Sequence, residues 1–343
     1  MGSSRKLIKN KRSEEEEEDR ISSLPSCLIG HILSFLPTKD VLKTSVLSTK
    51  WKYHWKSITN FYFDDQSVKS FINFVYRVLL LSVSDMHKFR LTCENICDNS
   101  HLSQWVSIAT LRHVREVHIS LLMNCHVMLP HELWTCNTLV VLKLADMLVL
   151  NVPTMVRLPS LKILHLDKMV FSDGDSTKRL VSSCPVLEDL AILECYWLDQ
   201  NINVFNISAD GWELLPELTY LELGVPDEGV TAGWELLPEL LERAPKLETL
   251  VCKELLCYGG YNQLLRHTPT NVPYCVLFHL KVIEIRYFFW CSDELKIAEY
   301  FLKNAKVLER MVIRSAGGQQ SKIICNTLLG LPRGSKTCRL EVY

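Results

Sequence analysis

The chain lacks a long apolar run. One apolar stretch, Val78 to Val83, is broken by Ser82, and a membrane span needs about 18 residues. It lacks an excess of charge of either sign: 38 Lys and Arg against 39 Asp and Glu leave a net charge of −1. That removes any general attraction to nucleic acid or to an anionic membrane. The amino terminus is charged rather than apolar, so no signal peptide is expected. There is no G-x-G-x-x-G, no Walker loop, no H-E-x-x-H and no G-x-S-x-G, the patterns that would announce a phosphate cradle, a zinc protease or a nucleophile elbow. The 13 cysteines are odd in number and none has the paired C-x₂-C spacing of a zinc site. Cys93 and Cys97 lie four apart, and Cys125, His126, His131 and Cys136 cluster loosely. They read as reduced core thiols and ordinary histidines. No metal and no cofactor are expected.

What the chain does have is apolar content and length. Its 343 residues are 48% hydrophobic, enough for a globular body with a sizeable core. Residues 1–18 read as a tail: Arg5, Lys6, Lys9, Lys11 and Arg12 are basic, and Glu14 to Glu18 are acidic. Such blocks stay solvated. The basic half suits a nuclear signal, and a plain solvated tail is the simpler reading.

A compact helical unit follows over residues 19–63. Pro25 suits a helix start, and Leu28, Ile29, Ile32, Leu33 and Leu36 then recur at helical spacing. Pro37 stops that helix. Thr38 is expected to cap a second helix carrying Val41 and Leu42, and Ser48 a third with Trp51, Trp55 and Ile58 on one face. The stripe on the first helix is wide and the helices are short. Some apolar surface is therefore left for the next domain or for a partner.

The segment DRISSLPSCLIGHILSFLPTKDVLKTSVLSTKWKYHWKSI resembles the F-box over its whole length. The resemblance implies docking onto the Skp adaptor of a cullin-type ubiquitin ligase and, through it, onto a cullin. By motif position it makes Leu24, Pro25, Ile29, Ile32, Leu36, Pro37, Val41, Val46 and Trp51 the adaptor-contact candidates, some of which must instead pack the interior. Ser26-Cys27 stands where the family usually has acidic residues, which is expected to weaken docking slightly.

The rest of the chain repeats L-x-x-L-x-L or an Ile, Val, Met or Cys variant. The motifs start at Val114, Leu139, Leu161, Leu187, Leu218, Leu247, Leu280 and Leu308, spaced 25, 22, 26, 31, 29, 33 and 28 residues apart. The fourth and sixth positions are expected to point inward on a short strand and those between to face out. Pro159, Pro185, Pro216 and Pro245 each lie two residues before a motif leucine, where a proline ends one segment and feeds the chain into the next. Units this small need their neighbours to fold, which points to a solenoid. The order of landmarks, HKFRLTC, LPHELWTCNTLVVLKL, LPSLKILHL and CPVLEDLAI, then YFLKNAKVLERMVI and LPRGSKTCRLEVY, is similar to that of plant F-box proteins carrying leucine-rich repeats and a terminal FBD.

The expected fold is α/β: a small three-helix F-box, an irregular leucine-rich-repeat solenoid over residues 64–272 and an FBD region over 273–343. The expected role is a non-catalytic, substrate-choosing ligase subunit, in the nucleus or cytoplasm, that binds neither nucleic acid nor membrane. An unidentified target protein would sit on the outward strand residues Glu116, His118, Val141, Lys143, Ile163, His165, Asp189, Tyr220, Glu222, Thr249, Val251, Glu284 and Arg310. Their mix of signs and apolar groups suits a protein partner. Two other readings stay open: a pocket for a small signalling molecule, marked by convergent Arg, His and Ser, and a binding module outside any ligase. A last expectation concerns GWELLPEL, which occurs at Gly211–Leu218 and again at Gly233–Leu240. The residues downstream of each copy predict an extended Glu217-Leu218 and a helical Glu239-Leu240.

Overall fold

The computed structural model describes residues 20–67, 70–94, 99–122, 128–146, 149–173, 175–197, 214–224, 233–253, 271–290, 292–316 and 328–343. The described helices are α1 (Ser26–Ser34), α2 (Thr38–Lys43), α3 (Phe71–Leu81), α4 (Asn99–Leu111), α5 (His131–Trp134), α6 (Asp175–Ser182), α7 (Gly233–Arg243), α8 (Tyr274–Phe278) and α9 (Ser292–Asn304). The described strands are β1 (Asn60–Asp64), β2 (Lys88–Cys93), β3 (Glu116–Leu121), β4 (Val141–Ala145), β5 (Val149–Leu150), β6 (Ile163–Asp167), β7 (Val170–Phe171), β8 (Asp189–Leu193), β9 (Tyr196–Trp197), β10 (Tyr220–Gly224), β11 (Thr249–Lys253), β12 (Val282–Phe288), β13 (Arg310–Ser315) and β14 (Arg339–Val342). Eleven of these pair in the order β1-β2-β3-β4-β6-β8-β10-β11-β12-β13-β14, and β5, β7 and β9 form a second, short sheet. Every pairing among the described strands is parallel.

Each motif supplies one strand of the large sheet, and its fourth and sixth residues are buried. The series runs Val117 and Ile119, Leu142 and Leu144, Leu164 and Leu166, Leu190 and Ile192, Leu221 and Leu223, Leu250 and Cys252, Ile283 and Ile285, Met311 and Ile313. The cause is the period of two along a strand, which sends alternate side chains to one face. Three strands lie beyond the eight motifs. Strands β1 and β2 precede them, burying Phe61, Phe63, Phe89, Leu91 and Cys93, and β14 closes the far edge.

The four prolines occupy a common place. Leu161 donates its N–H to Leu158 O, Leu187 to Cys184 O, Leu218 to Leu215 O and Leu247 to Ala244 O, at 3.2–3.3 Å. Each proline is thus the second residue of a four-residue turn, where its fixed φ is already correct, and both ends of every turn are buried. After β4, β6 and β8 the chain bends again at Asp146, Lys168 and Glu194, with φ of 69°, 52° and 48°. The N–H of each bonds the carbonyl of the following repeat, Asp167 O, Leu193 O and Gly224 O. This stacked hydrogen bond holds a conformation that non-glycine residues seldom adopt.

The duplicated octet separates as its context demands, with one correction. Glu239 and Leu240 are helical within α7. Leu218 leads into β10, but Glu217 lies in the turn closed on Leu215 rather than in extended chain. Pro216 is the reason, because it sits at the turn position that leaves Glu217 in the bend. Residues 211–213 lie outside the described residues. Helix α7 also begins earlier than Leu240 and runs through Pro238.

The F-box packs directly on the β1 edge. Thr38, expected as a cap, is instead the first residue inside α2 and fully buried. Its hydroxyl accepts the N–H of Tyr62 at 2.8 Å. Pro25 and Pro37 precede α1 and α2, and their carbonyls accept the first helical N–H groups. Ser48 Oγ accepts the Trp51 N–H at 3.4 Å, ahead of a 3₁₀ helix over Trp51–Ser57. At the other end Gly334 donates its N–H to Leu302 O at 2.7 Å, closing the carboxyl end of α9.

Candidate adaptor and target surfaces

Two stripes run along α1, each at the i, i+4, i+7 spacing of one helical face. Ile29, Leu33 and Leu36 turn inward, the first two fully buried and Leu36 half-buried against the core. Leu28, Ile32 and Phe35 turn outward and are 48%, 40% and 72% exposed. Val46 is 86% exposed, and its neighbour Leu47 also faces solvent. The His31 ring rests edge-on against Phe35 with centroids 4.9 Å apart.

The nine residues picked by motif position divide accordingly. Pro25, Ile32, Pro37 and Val46 are exposed, and Leu24 and Leu36 are half-buried. Ile29, Val41 and Trp51 are buried and pack the F-box interior. Trp51 Nε1 donates to Ile21 O at 3.1 Å, and Lys50 Nζ donates to Leu24 O, so both hold the chain entering α1. Leu28, Phe35 and Leu47 are exposed as well and stand outside those nine. The second stripe was readable in the helical period, but the period does not say which of two adjacent stripes faces in.

The outward face of the large sheet is laid out in rows by strand register. One row reads Tyr62, Arg90, His118, Lys143, His165, Ala191, Glu222, Val251, Glu284, Val312, Glu341. A flanking row holds Lys88, Glu116, Val141, Ile163, Asp189, Tyr220, Thr249, Val282 and Arg310. Register therefore brings all the outward candidates together. Val141 and Val251 are nevertheless covered by their neighbours.

The carboxyl-terminal half of this face is closed by ion pairs. Arg286 reaches Glu222 at 2.7 Å and Glu284 at 3.0 Å, Arg314 reaches Glu284 at 2.9 Å, and Arg310 reaches Glu341 at 2.7 Å. Burial alone would raise the Glu284 carboxyl, but hydrogen bonds from Arg286 and Arg314 outweigh it and hold the group below the usual range. Burial, then the hydrogen bond to Glu222, raises the Tyr220 hydroxyl. In the middle, His165 Nε2 lies 3.0 Å from Asp189 Oδ1. The amino-terminal half differs. Lys88 pairs with Glu116 at 2.7 Å, while Arg90 and Lys143 have no ion-pair partner among the described residues.

An open groove of about 800 Å³ runs along the strand starts. It is lined by His87, His113, Arg115 and Ser160 but also by Asp85, Glu188 and Glu217. Lys162 is paired with Glu188 at 2.6 Å across it. Among the described residues no group of three or more His, Cys, Asp and Glu is placed to hold a metal ion, and no helix is long and apolar enough to cross a membrane. Cys97, Cys125 and His126 lie outside the described residues.

Three family models match in chain order. The F-box domain covers residues 21–62, the LRR repeats of FBD-associated F-box protein At5g56370 cover 102–210, and the FBD covers 267–313. An FBD-associated F-box protein of Arabidopsis thaliana is 26% identical over 94% of this chain and 99% of the relative. Another FBD-associated F-box protein of that plant is 36% identical over 60% of this chain and 49% of the relative. An F-box/FBD/LRR-repeat protein, also from Arabidopsis thaliana, is 32% identical over 71% of this chain and 53% of the relative. The chain thus spans nearly all of the first and about half of the other two. An F-box implies, in general, Skp-adaptor binding and a substrate-adaptor role, and proteins of this kind are typically non-catalytic. The chain belongs to the plant F-box/FBD/LRR protein family.

Proposed function

We propose that this protein is the non-catalytic, substrate-choosing subunit of a Skp–cullin–F-box ubiquitin ligase. What supports the reading is the set of apolar side chains left in solvent on the F-box: Leu28, Ile32, Phe35, Val46 and Leu47. Their neighbours Ile29, Leu33, Val41 and Trp51 already fill the interior, so the F-box folds without drawing these five inside. An exposed apolar helix face of this kind is what a partner groove takes up. The sheet then holds a target protein on its outward rows. The ubiquitin chemistry belongs to other subunits, and this chain contributes proximity, keeping target lysines beside the charged conjugating enzyme. The nucleus or cytoplasm is the proposed place of work, and neither nucleic acid nor a membrane is a proposed partner.

Co-purification with the Skp adaptor tests this. Ile32→Asp together with Phe35→Asp places charge on the outward stripe without touching the interior. The expected loss of affinity is about 2 kcal/mol or more, the cost typical of an interface hot spot, with an unchanged melting curve. Undiminished co-purification of that variant would overturn the docking face.

A further inference from the structure

Two cations of the amino-terminal half of the sheet face make no ion pair among the described residues. Arg90 on β2 is exposed and Lys143 on β4 is half-buried, and neither has an ion-pair partner among the described residues. Between them on β3 stands His118, whose Nε2 is buried and makes no hydrogen bond. It lies 4.0 Å from Glu116 Oε2, too far for one. Burial, then the charges of Lys88 and Lys143, lowers the imidazole to about 4. The histidine is therefore neutral near pH 7 and sits in a field that repels a further proton. The carboxyl-terminal half is the opposite case, since there each row acid is met by an arginine.

We infer that Arg90 and Lys143, with His118 between them, form a docking surface for an acidic, extended segment of a partner protein. The inference rests on the ligase reading above, in which that partner is the target. Arg90 and Lys143 are two strands apart in register, or about 10 Å. On a chain extended in the polyproline II form, with three residues per turn, residues three apart share a face and are separated by about 9 Å. Two carboxylates at that spacing meet both cations. Ile163 on the flanking row adds apolar contact beside the charges. Glu116 and Asp189 on the same row repel a continuous run of phosphates, which argues for a peptide and against a nucleic acid.

The test uses the full chain and a labelled peptide of repeating Glu-Ser-Leu, read by fluorescence anisotropy. Binding is expected, and Arg90→Glu with Lys143→Glu should weaken it at least about tenfold. Arg90→Gln with Lys143→Gln should weaken it less. Arg339→Glu, a cation at the far edge, should leave it unchanged. Melting curves and Skp-adaptor co-purification should be the same for all. Equal binding by wild type and the charge-reversal variant, or no binding by wild type, overturns the surface. So does tighter binding of a poly-dT oligonucleotide. Stronger peptide binding after removal of residues 1–19 would mean the chain's own Glu14–Asp19 segment is the occupant, which also overturns it. Peptide binding that survives while the adaptor fails to co-purify would sink the ligase reading and leave this surface standing.

Discussion

Leu164 offers the sharpest test of the strand register. It is fully buried on β6, in register between Leu142 and Leu190. Leu164→Ala removes three carbons worth about 0.8 kcal/mol each, and the cavity left behind raises the total to about 3–5 kcal/mol. Leu164→Asp adds a carboxyl with no partner. Keeping it neutral near pH 7 raises its pKa from about 3.9 by about three units, or about 4 kcal/mol. Together these approach the whole stability of a typical domain, about 5–15 kcal/mol. One residue along, His165→Ala breaks only a partly exposed contact at 3.0 Å to Asp189, worth less than about 1 kcal/mol. Urea unfolding followed by circular dichroism should rank the midpoints His165→Ala, Leu164→Ala, Leu164→Asp, from most to least stable. The sign of the pH dependence is fixed as well. The introduced acid has a raised folded pKa, so its extra penalty is absent below about pH 3.9 and grows by about 1.4 kcal/mol per unit above it. The two Leu164 variants should therefore converge at low pH. If His165→Ala is the more damaging change, or if the gap between the Leu164 variants ignores pH, the register is off by one.

A second perturbation probes the closing strand. A Cβ on Gly334 would meet Lys303 O at 2.4 Å, so Gly334→Ala should cost about 1–3 kcal/mol and speed amide exchange over β14; an unchanged melting temperature would count against this packing. Thiol chemistry gives a third. Burial pushes the Cys184, Cys195, Cys252 and Cys275 thiols up to about 12, while Cys27 is exposed. Iodoacetamide applied to the native chain at mildly alkaline pH should label Cys27 and spare those four until denaturant is added, as peptide mass spectrometry would read. Labelling of any of the four at the rate of Cys27 would refute the burial.

The parts of the fold that repeat with a local period were legible in the chain alone. The alternation in LKILHL or LETLVC names the buried pair of each strand, because a strand has only two faces. The prolines at 159, 185, 216 and 245 announce the turns, because a fixed φ suits one turn position. The order of motifs was enough to read an F-box, repeats and an FBD. Tertiary structure decided what depends on residues far apart in the chain. Helical spacing left both stripes of α1 apolar, and only packing showed that Ile29 and Leu33 go in while Leu28 and Phe35 stay out. Thr38 reads as a cap from its neighbours alone, yet it holds Tyr62, which lies 24 residues on. Strands β1 and β2 keep the spacing of the motif with phenylalanine inside it, Ile58-x-x-Phe61-x-Phe63 and Met86-x-x-Phe89-x-Leu91, and only the shared burial of these residues marks them as members of the same sheet. The charges on the outward face look evenly mixed along the chain. Parallel pairing of strands some 25 residues apart aligns them into rows, and those rows set Glu222 and Glu284 against arginines while leaving Arg90 and Lys143 without an ion-pair partner among the described residues.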